Sequence, residues 1–168
     1  MREREHPIVM SDRSIQDILT GRKTVTRRVF SGCKAGVRVC WTPDGHIVLI
    51  AKGMTLNGIC PHGSPNDLLW VKERYVNDKG ETVPAMFMPK KMARIWLKIV
   101  DVTIDTLGAM TDEDAIAEGY RNVEEYKNEW NRLNAKRGYP WKNDLPVWVI
   151  TFTKFDKENE NGRTDLGY

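Results

Sequence analysis

The sequence predicts an α+β fold, a mixed β-barrel flanked by short helices. Three observations carry that reading. Six or seven segments read as strands, most of them followed by a turn signal rather than by a crossover helix. The helical patterns are short and fall only near the N-terminus and before the last strand. The 40% apolar fraction and six Trp suit a packed core, and 168 residues fit one domain.

The elements follow in order. Pro7 to Met10 is a first short strand, and Ser11 or Asp12 caps a helix over roughly 11–20. Gly21 ends that helix, because glycine takes the left-handed cap conformation without a Cβ penalty. Lys23 to Val29 alternates β-branched and charged residues and reads as extended. A turn at Ser31-Gly32 leads to a strand at Val37–Trp41, and Pro43-Asp44-Gly45 turns it back along His46–Ala51. Residues 53–67 read as a loop, Leu68–Tyr75 as a strong strand, and 77–91 as a second irregular stretch. Ile95–Ile104 lies in a long strand over 93–106. Thr111 and Asp114 form a capping-box pattern for a helix that ends at Gly119. Val123, Tyr126, Trp130 and Leu133 then form the apolar stripe of a helix over about 123–137, closed by Gly138. Pro146–Phe152 is the last strand, and a polar tail over about 157–168 reads as frayed.

Charge and composition exclude some functions. A formal net charge of +3 is mildly basic and favours polyanionic partners only weakly. No apolar run approaches the ~18 residues of a membrane span. Met1 to Pro7 lacks the apolar core of a signal peptide, and three cysteines suit a reducing compartment, so a cytoplasmic protein is expected. Cys33, Cys40, Cys60, His46 and His62 lack the paired spacing of a zinc site, and no metal or other cofactor is expected.

The segment Gly21-Arg22-Lys23-Thr24-Val25-Thr26-Arg27-Arg28 concentrates the chemistry. Thr26 offers a hydroxyl, which needs an adjacent base before it can attack a carbonyl. Lys23 serves as that base only if desolvation or the neighbouring arginines depress its pKa. In an extended chain, residues three apart point to opposite faces, so a bend near Lys23 is required. Backbone amides or Arg28 would stabilise an oxyanion. Glu73 shares a strand face with Val71 and Tyr75, and Lys23 or Arg28 is its expected partner. Trp141, in the loop Tyr139-Pro140-Trp141-Lys142, is the expected exposed stacking platform for a base. Basic clusters at Lys34/Arg38, Lys90-Lys91/Arg94 and Lys136-Arg137/Lys142 would meet phosphates. The same Lys-Thr-x-Thr-Arg-Arg run, taken alone, also fits a solvated edge strand.

The order of these pieces resembles the ASCH family of PUA-like barrels. The resemblance lies in Gly21-Arg22-Lys23 with Arg28 at its end, in Asn66-Asp67-Leu68-Leu69-Trp70-Val71, in Asp101–Leu107 followed by Met110–Gly119, and in Val147–Phe155. Cys60-Pro61-His62-Gly63 before Leu69-Trp70-Val71-Lys72-Glu73 is similar to the larger, phage-type members, with His62 where Tyr is usual and Asn66 where Gly is usual. The resemblance implies a single domain over 1–168, with insertions at about 30–65 and 77–91. A small member of the family deacetylates N4-acetylcytidine, and matching its motif implies Lys23, Thr26 and Glu118 as catalytic residues here. Arg22, Arg28, Glu73 and Trp141 would contact the substrate. The expected partner is a nucleoside or nucleic acid, not a membrane. A module that binds RNA or modified DNA without catalysis is the alternative, with a ribonuclease third.

Overall fold

A computed structural model of the chain describes residues 3–30, 38–41, 47–51, 54–56 and 60–158. Its centre is a five-stranded mixed sheet in the order β1 (Glu5–Val9), β6 (Leu68–Lys72), β9 (Trp96–Thr106), β10 (Pro146–Phe155), β2 (Val25–Val29). β1 runs parallel to β6, and β6 pairs antiparallel with β9. β9 pairs antiparallel with β10, and β10 pairs in the same sense with β2. A register shift between Thr151 and Phe152 bends the β9–β10 ladder. β3 (Arg38–Trp41), β4 (Ile47–Ala51) and β5 (Met54–Leu56) form a separate antiparallel sheet. β7 (Tyr75–Val76) and β8 (Thr82–Val83) form a small hairpin.

The sheet is buried on both faces, which explains the unbroken apolar run of β10. Trp148, Ile150 and Phe152 point into one core with Ile8, Leu69, Leu97 and Ile99. Val147 points the other way, into a second core with Leu107, Ala115, Tyr126 and Trp130. That second core is roofed by α2 (Asp112–Ala117) and α3 (Val123–Asn134). The capping box expected at Thr111 and Asp114 is present in both directions. α3 departs from the expected stripe in one place. Its buried residues are Tyr126, Trp130 and Asn134, a strict i, i+4, i+8 ridge, so Leu133 turns outward and is 46% exposed.

The expected barrel is not closed among the described residues. β1 and β2 are the two edges of the sheet and share no ladder. The chain between them forms α1 (Asp12–Leu19), whose Ile15 and Ile18 are buried in the first core. The seam is crossed instead by one side chain, Arg28, whose Nη2 donates to the Val9 carbonyl at 2.7 Å. Three other readings are corrected. The strand expected over 68–75 stops at Lys72, the irregular stretch at 77–91 holds β8 and two 3-10 turns, and the loop expected over 53–67 contains β5. The turns expected at Ser31-Gly32 and Pro43–Gly45 lie outside the described residues. No helix among the described residues is long and apolar enough to cross a membrane.

Candidate active site at the open seam of the sheet

The path from α1 into β2 sets the site. Ser11 caps α1 by accepting from the Ser14 amide, and Gly21 leaves the helix at φ +78°. The Lys23 amide then donates to the Asp17 carbonyl at 3.0 Å, and the Thr24 amide to the Ala117 carbonyl at 2.8 Å. Lys23 therefore sits in a bend before β2 begins at Val25. Strand alternation thus does not fix the direction of the Lys23 side chain.

Glu118 meets Lys23 from the other side. It is the C-terminal cap of α2, and Gly119 follows at φ +94°. A Cβ on Gly119 would stand 2.6 Å from Asp17 Oδ2, so only glycine lets α2 end against α1 here. Lys23 Nζ donates to Glu118 Oε2 at 2.5 Å and to the Glu118 carbonyl at 3.2 Å. Arg27 Nη1 donates to Glu118 Oε1 at 3.3 Å, and Arg27 Nη2 lies 3.6 Å from Asp114 Oδ1. Lys23, Arg27 and Glu118 are only 5%, 7% and 2% exposed. One buried carboxylate thus serves two cations, an arrangement that is strongly disrupted when a single member is removed. Burial pushes the Lys23 ammonium below its usual range, the Glu118 carboxylate opposes that shift, and the nearby Arg28 adds to it.

Thr26 and Arg28 share the opposite face of β2 from Arg27, in register with Ile150 and Trp148. Thr26 is buried, and among the described residues its hydroxyl has no hydrogen-bond partner. Arg28 is anchored through Nη2 to Val9 and to Met10 Sδ at 3.2 Å. Its Nε is enclosed and has no acceptor among the described residues, and burial lowers its pKa. Lys23, Thr26, Arg27, Arg28 and Glu118 all line one cleft of about 1420 Å³ at the seam between β1 and β2. His62 lines it too, with its pKa lowered to about 4 by burial and by the charges of Arg28 and His6.

Of the four residues expected to contact the substrate, Arg28 lines the cleft and the other three lie elsewhere. Arg22 is exposed and pairs with Asp17 Oδ1 at 2.8 Å. Glu73 accepts from Arg94 Nε at 2.8 Å and Nη2 at 2.7 Å, not from Lys23 or Arg28. Trp141 is half-buried against the second core, edge-on to Tyr126 at 6.3 Å, with Nε1 on Asn143 Oδ1. It is not the exposed platform its loop position suggests. None of the three lines the cleft. From the sequence, Arg27 is only a cation beside Lys23 or toward nucleic acid; strand alternation turns it from Thr26 toward α2, where it meets Glu118. His62 is not an expected member of the site. His62 comes from a loop 34 positions beyond Arg28 in the chain, with no local pattern to mark it. Among the described residues no group of three or more His, Cys, Asp or Glu side chains is placed to hold a metal ion.

Neither a family model nor a curated protein matches the sequence. Among solved structures the fold is similar to the ASCH domain from Lactobacillus crispatus JV V101, at 13% identity over 90% of this chain and 79% of that one, with a TM-score of 0.49. It is also similar to protein EF3133 from Enterococcus faecalis V583, of the DUF984 family, at 14% identity over 100% of this chain and 86% of that one, with a TM-score of 0.48. Likeness of this degree leaves the function to be argued from the chain's own residues.

Proposed function

We propose that the protein is a metal-independent amidohydrolase that removes an acyl group from the exocyclic nitrogen of a nucleobase, as in N4-acetylcytidine. The observation that carries the reading is the buried Lys23–Glu118 pair in one cleft with the unpartnered Thr26 hydroxyl. The chain acts as a single domain, with residues of about 30–65 and 77–91 as insertions on that catalytic core.

The chemistry follows from the protonation of Lys23. Burial makes the neutral amine accessible, and Glu118 holds Nζ in place by accepting one of its hydrogens. The Thr26 oxygen attacks the acyl carbon, and its proton passes to Lys23. The resulting ammonium stands beside the oxyanion and stabilises it. Collapse breaks the C–N bond, and the proton moves from Lys23 to the departing exocyclic nitrogen. A water then attacks the Thr26 ester, with Lys23 taking its proton. The carboxylic acid leaves as the proton returns from Lys23 to the Thr26 oxygen. The balance is one amide and one water consumed, one amine and one carboxylic acid released.

The test is deacylation of N4-acetylcytidine in EDTA by the wild type, Lys23→Ala and Thr26→Ala. Loss of at least about a hundredfold in both variants is expected, the usual scale for removing a proton-transfer group or a nucleophile. Equal turnover by wild type and Lys23→Ala would sink the reading, as would inactivity of all three proteins.

A further inference from the structure

Arg27 occupies a position where alternation asks for an apolar side chain. It lies in register with Val149 of β10, on the face of β2 where Val29 meets the second core. It is buried, and a buried ion pair is often no more stable than well-packed apolar residues of the same volume. Stability therefore does not account for a guanidinium here. Its contacts do. Nη1 donates to Glu118 Oε1 at 3.3 Å, while Lys23 Nζ donates to Glu118 Oε2 at 2.5 Å, so the two cations take one carboxylate oxygen each. Nη2 lies 3.6 Å from Asp114 Oδ1, and the other oxygen of Asp114 accepts from Thr111 in the cap of α2. Arg27 thus reaches both the first turn of α2 and its C-terminal cap, and it fixes which oxygen of Glu118 is left for Lys23.

The charge count gives this arrangement a use. Lys23 Nζ has two acceptors on Glu118, the carboxylate and the main-chain carbonyl, and both favour the ammonium. A general base needs the free amine. If Glu118 stood beside Lys23 alone, the ammonium would complete a neutral pair, and loss of its proton would leave a buried carboxylate uncompensated. With Arg27 present, Glu118 is already balanced. The free amine then leaves a neutral pair behind it, and the ammonium adds an unmatched positive charge to a buried site. The other groups around the trio do not reverse this count. Asp17, from α1, pulls toward the ammonium, but it is shared with Arg22 at 2.8 Å and Arg13 at 3.7 Å. Arg28, from β2, acts in the same sense as Arg27. Tyr120 and Tyr126 stay protonated, because burial raises both phenols. Asp114 is half-exposed, so solvent screens it.

We propose that Arg27 is a positioning residue of the hydrolase: it holds one oxygen of Glu118, leaves the other for Lys23, and balances the carboxylate so that Lys23 serves as a base. The role rests on the hydrolase reading above, while the hold of Arg27 on Lys23 is measurable without turnover. Arg27 acts through Glu118 and not on the reacting atoms.

The test follows the Lys23 side chain by NMR in the full chain labelled with carbon-13 at lysine Cε, its signal assigned by its loss in Lys23→Arg. The midpoint of its titration is expected about one pH unit or more higher in Arg27→Gln than in the wild type. Arg27→Lys, which keeps the charge, is expected to stay near the wild-type midpoint. In Arg27→Gln the kcat/KM limb for deacylation of N4-acetylcytidine is expected to move up with the midpoint. Turnover at pH 7 then falls about tenfold and recovers at higher pH. An Arg27 that served only the packing would lower activity equally at every pH, and an unmoved or lower Lys23 midpoint in Arg27→Gln overturns the proposal. So does a midpoint in Arg27→Lys as high as that in Arg27→Gln. Asp114→Asn covers the case in which Arg27→Gln does not fold. It keeps the buried trio and removes the carboxylate that draws on Arg27, so the Lys23 midpoint is expected to fall; an unmoved or higher one overturns the proposal too. The expected midpoints without deacylation keep the hold of Arg27 on Lys23 and overturn only the hydrolase reading.

Discussion

At Lys23 burial and charge oppose one another, and burial prevails. Its folded-state pKa is lowered by burial, so between that value and the ordinary 10.5 the unfolded chain binds a proton that the folded chain does not. Stability from this group therefore rises with pH through that window and is lost as pH falls through the folded value. The same titration makes the base available, so kcat/KM for deacylation is expected to climb along a limb whose midpoint lies below 10.5. Glu118→Gln removes the charge that favours the ammonium, and the limb is expected to move to lower pH; an unmoved limb would detach Glu118 from Lys23 in function. Lys23→Met leaves Glu118 with Arg27 alone, and a loss of about 3 kcal/mol in urea unfolding is expected. His62 titrates the other end of the range. With its pKa lowered from 6.5 to about 4, the folded protein loses stability as pH falls through that interval, and His62→Phe is expected to flatten that slope. The residue types of this site are legible in the sequence, because Lys23, Thr26 and Glu118 stand in recognisable local patterns. Their partners are not. Glu73 is taken by Arg94, which is 21 positions away, and no periodicity reaches that far.

Among the elements, the short ones with a cap signal are the most legible. Ser11 starts α1, Thr111 and Asp114 start α2, and Gly138 ends the turn after α3 at φ +90°, because each device acts within four residues. β5 and the β7–β8 hairpin are not legible, since strands of two or three residues carry no alternation to detect. The two glycines that close helices ought to respond differently to substitution. Gly21 has φ +78° and open space around its missing Cβ, so Gly21→Ala meets only the left-handed penalty of about 1 kcal/mol. Gly119 has φ +94° and Asp17 Oδ2 within 2.6 Å, so Gly119→Ala must also displace the buried Asp17 carboxylate on α1. We expect it to lower the thermal midpoint several degrees further than Gly21→Ala, and to reduce deacylation with it, because Glu118 is the adjoining residue. Equal midpoints for the two variants would show that the α1–α2 contact has slack.

At the scale of the molecule, the parallel pairing of β1 with β6 and the open seam were beyond the sequence. The pairing joins positions more than 60 apart in the chain, and the seam follows from the order of the whole sheet. Arg28 is the link across that gap, and Arg28→Ala is expected to speed hydrogen exchange in the amides of β1 and β2 while leaving β9 and β10 protected. The seam also leaves backbone donors and acceptors along two strand borders, which is the template that edge-to-edge polymerisation needs. Pro7 sits mid-way along one border and has no N–H to offer an incoming strand. On the other, antiparallel self-pairing of β2 about its centre would set Arg27 of one copy directly against Arg27 of the next. A guanidinium that lines the cleft thus also guards the protein against growing into fibres.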